Sequence, residues 1–193
     1  VQIKIPYRTE NWLLETFLLL AATRIVNAKY VFEFGTFRGA TTLNLAMNLS
    51  GGEIYTFDID PEIAPTVEQD ALHQKIMSEH IAARVMEFEE VPHVAKINKL
   101  EGNSLTFDST PYHRSMDLVF VDGGHDYRTL AADSANAFRM APHGCVVWHD
   151  YGNPEYPDVQ RYLDAMTIPI FHVEESRMAF WFGDHDIVHR LGV

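Results

Sequence analysis

Cysteine is almost missing from this chain: Cys145 stands alone among 193 residues. An internal disulfide is therefore excluded, and a reducing compartment, the cytoplasm, is expected. Cys145 sits in the apolar run 144–148, the setting of a small buried hydrophobe rather than a nucleophile. Positive charge is also scarce. Lys and Arg number 15 against 27 Asp and Glu, a formal net charge of −12. No basic run offsets this, so phosphate-driven nucleic-acid binding is excluded, and an anionic membrane surface is disfavoured. Long apolar runs are missing too. The longest, residues 12–22, is too short to cross a bilayer and is broken by Glu15 and Thr16. No signal peptide is visible, and because residue 1 is Val rather than Met the native N-terminus is not assumed to be present.

What the chain has is enough apolar content, 47%, to bury a full core. One domain over residues 1–193 is expected, with a helical lead-in at 1–28. Residues 31–34, Val-Phe-Glu-Phe, read as a buried strand that runs straight into Gly35, and Gly39 opens an apolar helical run to residue 49. Strand, glycine turn, helix is how an open α/β sheet forms a ligand crevice at the carboxyl end of its first strand. The spacing Glu-x-Gly-x-x-x-Gly lacks the third glycine of the dinucleotide fingerprint, which ranks NAD-dependent chemistry low.

Further elements follow in alternation. Residues 11–26 predict a helix with Leu13, Phe17, Leu20 and Ala21 on its packing side. Strands are predicted at 53–58, 94–100, 116–122 and 145–151, and helices over 62–90, 129–140 and from Asp158, a candidate cap, to 166. Two last strands at 168–173 and 177–182 are joined through Glu174-Glu175-Ser176. The fold class expected is α/β, Rossmann-like and doubly wound, with a mostly parallel seven-stranded sheet and an antiparallel C-terminal hairpin strand.

Charged groups fall at the predicted strand ends. Asp58 lies 25 positions after Glu33, near where a two-strand nucleoside site places its ribose-binding acid, although a plain helix cap is the competing role. Asp122-Gly-Gly-His125 and His149-Asp150 end two more strands. If these strands are parallel to the first, all of these groups emerge along one rim.

The ordered set Glu33-Phe-Gly-x-x-x-Gly39, Asp58-Ile-Asp-Pro61, Gly102-Asn-Ser104, Val121-Asp-Gly-Gly-His125 and Trp148-His-Asp-Tyr151 covers nearly the whole chain. It resembles the methyltransferase-24-type branch of the class I S-adenosylmethionine-dependent methyltransferases, which is similar to metal-dependent O-methyltransferases. The resemblance implies S-adenosylmethionine as cofactor, held by Glu33 near its amino group, by the turn Gly35, Thr36, Phe37 and Gly39, by Asp58, and by Asn103, Ser104 and Asp122. Asn103 stands where Asp is commoner, so an adenine contact and a bland Asx turn both remain open. It further implies a divalent cation held by Asp122, His149 and Asp150, with Asp122 and His125 in catalysis and His125 as general base toward a small-molecule hydroxyl acceptor. Assembly as a homo-oligomer is left open.

One departure matters. Magnesium-binding relatives carry oxygen ligands at the fifth-strand pair, whereas this chain has His149 before Asp150. Nitrogen suits Mn²⁺, Fe²⁺, Ni²⁺ or Zn²⁺ better. His149 pointing away, a softer metal, and no metal with Asp150 orienting His125 are the three readings. Two rival functions are a metal-dependent hydrolase built on Asp122, His125, His149 and Asp150, and a non-catalytic nucleoside-binding module.

Overall fold

The computed structural model describes residues 3–5, 13–64, 95–184 and 187. Its centre is a seven-stranded sheet made of β1 (Tyr30–Phe34), β2 (Glu53–Ile59), β3 (Lys96–Gly102), β4 (Leu118–Val121), β5 (Cys145–Trp148), β6 (Phe171–His172) and β7 (Ala179–Phe182). Their order across the sheet is β3-β2-β1-β4-β5-β7-β6. β1 to β5 pair in parallel, and β7 runs antiparallel to both β5 and β6. The expected mostly parallel sheet with an antiparallel C-terminal strand is what forms.

The central strands are apolar on both faces because both are covered. Val31, Leu118, Phe120, Cys145 and Val147 pack on one side with Leu19, Leu20, Leu45 and Ala46 from α1 (Leu13–Ile25) and α2 (Ala40–Asn48). Phe32, Phe34, Val119, Val121, Val146 and Trp148 pack on the other with Leu130, Ala137, Val159 and Leu163 from α3 (Tyr127–Met140) and α4 (Pro157–Asp164). Fully burying such a side chain contributes about 1.5–3 kcal/mol, so β1, β4 and β5 anchor the molecule. Cys145 is fully buried, as expected of a small hydrophobe, and burial pushes its thiol far up from the ordinary range.

Three local expectations change. On α1 the inward face is Glu15, Thr16, Leu19, Leu20, Ala22 and Thr23, whereas Leu13 is 71% and Phe17 47% exposed. Of the expected stripe Leu20 is buried, while Leu13 and Phe17 are exposed because a buried acid with partners takes an inward position. Asp158 does not cap its own helix. Pro157 starts α4, and the Asp158 carboxylate accepts the backbone N–H of Tyr127, the first residue of α3, at 3.0 Å. The third strand runs past residue 100, where its predicted end lay, through Glu101 and Gly102, because both pair with the end of β2. Most of the helix predicted over 62–90 lies outside the described residues. Asp126 does cap α3, accepting from the N–H groups of Arg128 and Thr129.

Candidate cofactor and metal site

Strand order reverses at β1, which has β2 on one side and β4 on the other. Connections leave from opposite faces there, opening a crevice at the carboxyl ends of the strands. Gly35 follows β1 in this crevice with φ of 94°, and a Cβ on it would lie 2.0 Å from the carbonyl oxygen of Asp122. Both the backbone angle and the approach of the β4 end require glycine. The turn continues through Phe37, at φ of 47°, to Gly39, at φ of 80°, which is the N-cap of α2.

Asp58, at the end of β2, ties this turn down. One carboxylate oxygen accepts the Phe37 N–H at 2.9 Å and the other accepts the Ile59 N–H at 2.8 Å. Thr36 is buried and shares a 2.6 Å hydrogen bond with the Thr56 hydroxyl. Glu33 lies beneath the turn rather than on the rim. Its Oε2 accepts from the Thr42 and Thr56 hydroxyls, and its Oε1 is buried without a hydrogen-bond partner. Burial pushes the Glu33 carboxyl from 4.5 up to about 8, the two threonine hydrogen bonds only partly opposing it.

Asn103 and Ser104 begin the loop after β3. The Asn103 side chain accepts the Leu105 N–H at 2.9 Å, an Asx-type turn. Behind the loop, Asp133 on α3 is fully buried with neither carboxylate oxygen hydrogen-bonded, and burial pushes it up to about 8. The Ser104 side chain acts in the opposite direction and only partly offsets the burial.

The second constellation lies at the ends of β4 and β5. Nδ1 of His149 is 3.1 Å from Asp122 Oδ1 and 3.0 Å from Asp150 Oδ2. His125 Nε2 is 2.9 Å from the same Asp150 oxygen and 4.0 Å from Asp122 Oδ1. The His125 ring stacks on Tyr156 at 3.9 Å between centroids. Asp150 sits at φ of 62°, a conformation that costs a non-glycine residue about 1–3 kcal/mol and persists only where its surroundings impose it. Here they do. Besides the two histidines, Asn153 donates to its Oδ1 at 2.6 Å, and Arg177 is 3.7 Å away.

One nitrogen and two carboxylate oxygens from Asp122, His149 and Asp150 lie within 4.8 Å of one another. These three atoms are close enough to share one divalent cation, and a nitrogen with two carboxylate oxygens is a donor set that fits one. Burial works against a charged His149 ring, but Asp122, Asp150 and Glu15 together raise it to about 12 in the metal-free protein. Asp150 is itself buried, yet the two histidines hold it well below the usual carboxylate range.

The sequence reading missed Glu15. It is 3% exposed, places Oε2 3.0 Å from His149 Nε2, and accepts the Arg177 backbone N–H on Oε1 at 2.8 Å. Its signal was available as the polar pair Glu15-Thr16 inside an apolar run. Asn153, Tyr156 and Arg177 carried no such signal.

A glycine turn at the switch point of a parallel sheet, with acids at the next strand ends, defines a Rossmann-like α/β fold with a ligand crevice at that point. The methyltransferase-24 family profile, a methyltransferase domain, matches residues 32–151, and the chain belongs to that family. Caffeoyl-CoA O-methyltransferase 2 of Petunia hybrida is 31% identical over 108 residues, 53% of this chain and 38% of the petunia protein. The chain thus spans well under half the length of that relative. Among solved structures, the O-methyltransferase NovP superposes with a TM-score of 0.60 at 13% identity, covering 89% of this chain and 79% of that one. TomG from Streptomyces achromogenes, an O-methyltransferase in complex with S-adenosylmethionine, superposes with a TM-score of 0.52 at 17% identity, covering 88% and 78%. At these identities the likeness establishes the shared fold. Among the described residues, no helix is long and apolar enough to cross a membrane.

Proposed function

We propose that this protein is a single-domain S-adenosylmethionine-dependent O-methyltransferase acting on a small molecule with neighbouring hydroxyls. The observation that carries the reading is the meeting of the β1 turn with the β4 end at Gly35 and Asp122, with Asp58 bonded into the same turn. That arrangement supports a nucleoside site, and family membership supplies the methyl donor. The positive-φ glycines at 35 and 39 shape the turn against which the cofactor would lie, and the unpartnered Oε1 of Glu33 beneath it supports the assignment of that acid to the amino group. Asp58 would receive the ribose hydroxyls, and Asn103 and Ser104 flank the adenine side.

When bound, S-adenosylmethionine supplies an electrophilic methyl on sulfur, and a divalent cation supplies Lewis acidity toward a hydroxyl oxygen. Asp122, His149 and Asp150 would hold that cation. His125 would take the acceptor's proton. Its Nε2 donates to Asp150, which leaves Nδ1 as the basic nitrogen, and stacking on Tyr156 holds the ring plane. Because the donor is intrinsically reactive, the residues contribute mainly alignment and proton removal. The net charge speaks against a nucleic-acid acceptor, and the single buried cysteine favours the cytoplasm.

Calorimetry with S-adenosylhomocysteine tests the reading. One saturable site is expected, weakened about 100-fold or more in Asp58→Ala, since two charge-assisted hydrogen bonds are worth about 3 kcal/mol or more. No binding to the wild-type chain overturns it and favours the hydrolase. Binding without methyl transfer to any catechol or vicinal-diol acceptor favours the binding module.

A further inference from the structure

Glu15 acts on the metal trio from outside it. Both of its oxygens are engaged in a buried setting: Oε1 accepts the Arg177 N–H, and Oε2 faces His149 Nε2. A carboxylate only accepts, so Nε2 keeps its hydrogen toward Glu15, and Nδ1 is the ring nitrogen that would exchange its proton for a cation. The other nitrogen, Nδ1, then points between Asp122 and Asp150. Three separate parts of the fold fix this orientation: α1 brings Glu15, the loop after β5 brings His149, and the approach to β7 brings the Arg177 N–H.

We propose that Glu15 is a positioning residue that presents His149 Nδ1 as a third ligand, making this a nitrogen-bearing site that prefers borderline transition ions over Mg²⁺. The proposal rests on the reading of Asp122, His149 and Asp150 as a cation site. An imidazole in the ligand set suits Fe²⁺, Co²⁺, Ni²⁺ or Zn²⁺, whereas Mg²⁺ demands oxygen. A carboxylate on the far ring nitrogen orients the ring and raises its basicity as a ligand. This also gives the buried acid of α1 a reason to displace a hydrophobe from the core.

The test is metal titration of the full chain, with Co²⁺ read by its visible absorption and Mg²⁺ by calorimetry. S-adenosylhomocysteine binding is measured on the same metal-free samples. Co²⁺ is expected to bind about tenfold or more tighter than Mg²⁺, with a spectrum altered in His149→Asp, which brings the two ions to similar affinity. Glu15→Gln keeps the shape and removes the charge, and should weaken Co²⁺ about tenfold; Glu15→Leu should weaken it by up to about 100-fold. Mg²⁺ affinity should change far less in both variants. Wild-type Mg²⁺ affinity equal to that for Co²⁺ overturns the proposal. So does a Glu15→Gln variant with unchanged Co²⁺ affinity and spectrum, and this variant decides the matter if Glu15→Leu does not fold. A chain that takes Co²⁺ with this selectivity but no S-adenosylhomocysteine keeps the metal proposal and loses the methyltransferase reading. One that binds S-adenosylhomocysteine without metal preference loses the metal proposal alone.

Discussion

Glu33→Gln should make the protein's stability much less sensitive to alkaline pH. The folded carboxyl is buried at 0% exposure and holds its proton up to about pH 8, whereas the unfolded one releases it near 4.5. The folded state therefore binds more protons between these values, and the stability contributed by Glu33 is fully present below pH 4.5 and is lost as pH rises toward 8. Each pH unit in that window costs about 1.4 kcal/mol, so roughly 3 kcal/mol is lost from Glu33 between pH 5.5 and 8.5. Glutamine does not ionise, and its carbonyl can still accept from the Thr42 and Thr56 hydroxyls that Glu33 Oε2 meets now. Its amide group takes the unpartnered position at a pH-independent cost of about 1–3 kcal/mol. Urea denaturation of both proteins without cofactor, at pH 5.5 and 8.5, measures the double difference, from which all other titrating groups cancel. The gap should move in favour of Gln by about 3 kcal/mol at the higher pH. Parallel loss of stability in the two proteins would refute the buried, protonated Glu33.

Asp133→Asn should behave in the same direction over the window from 3.8 to about 8, since this acid is buried with both oxygens unpaired; the same titration checks it. Gly35→Ala should destabilise by about 3 kcal/mol or more, because its methyl would meet the Asp122 carbonyl at 2.0 Å in a left-handed conformation; a melting curve matching wild type would count against the β1–β4 contact. His149→Ala, measured with chelator present, should cost about 3–5 kcal/mol because it leaves Glu15, Asp122 and Asp150 facing one another; denaturation showing a loss under about 1 kcal/mol would contradict a charged His149. His125→Gln should lower kcat by about 100-fold or more while S-adenosylhomocysteine binding is unchanged, and equal turnover would remove it as the base.

Much of the architecture could be read along the chain because periodicity is a local property. The buried runs at 31–34, 118–121 and 145–148 carry no charge except Glu33, and they became the central strands. Gly35 announced a turn, and Asp58 was located by its distance from Glu33. The site was legible as far as strand ends were, since parallel strands deliver their carboxyl ends to one edge. Leu13 and Phe17 show where this fails, for spacing alone cannot tell which stripe of a helix faces inward when a buried acid competes for the place.

The order of residues by itself determined which segments become strands and helices, and that acids and histidines terminate three of the parallel strands. Only the tertiary structure decided that Glu15, 134 positions before His149, is its partner, and that Glu33 lies under the glycine turn rather than on it. The physical reason is that hydrogen-bond partners and desolvation depend on which elements pack together, and packing brings into contact groups whose separation along the polymer carries no signal.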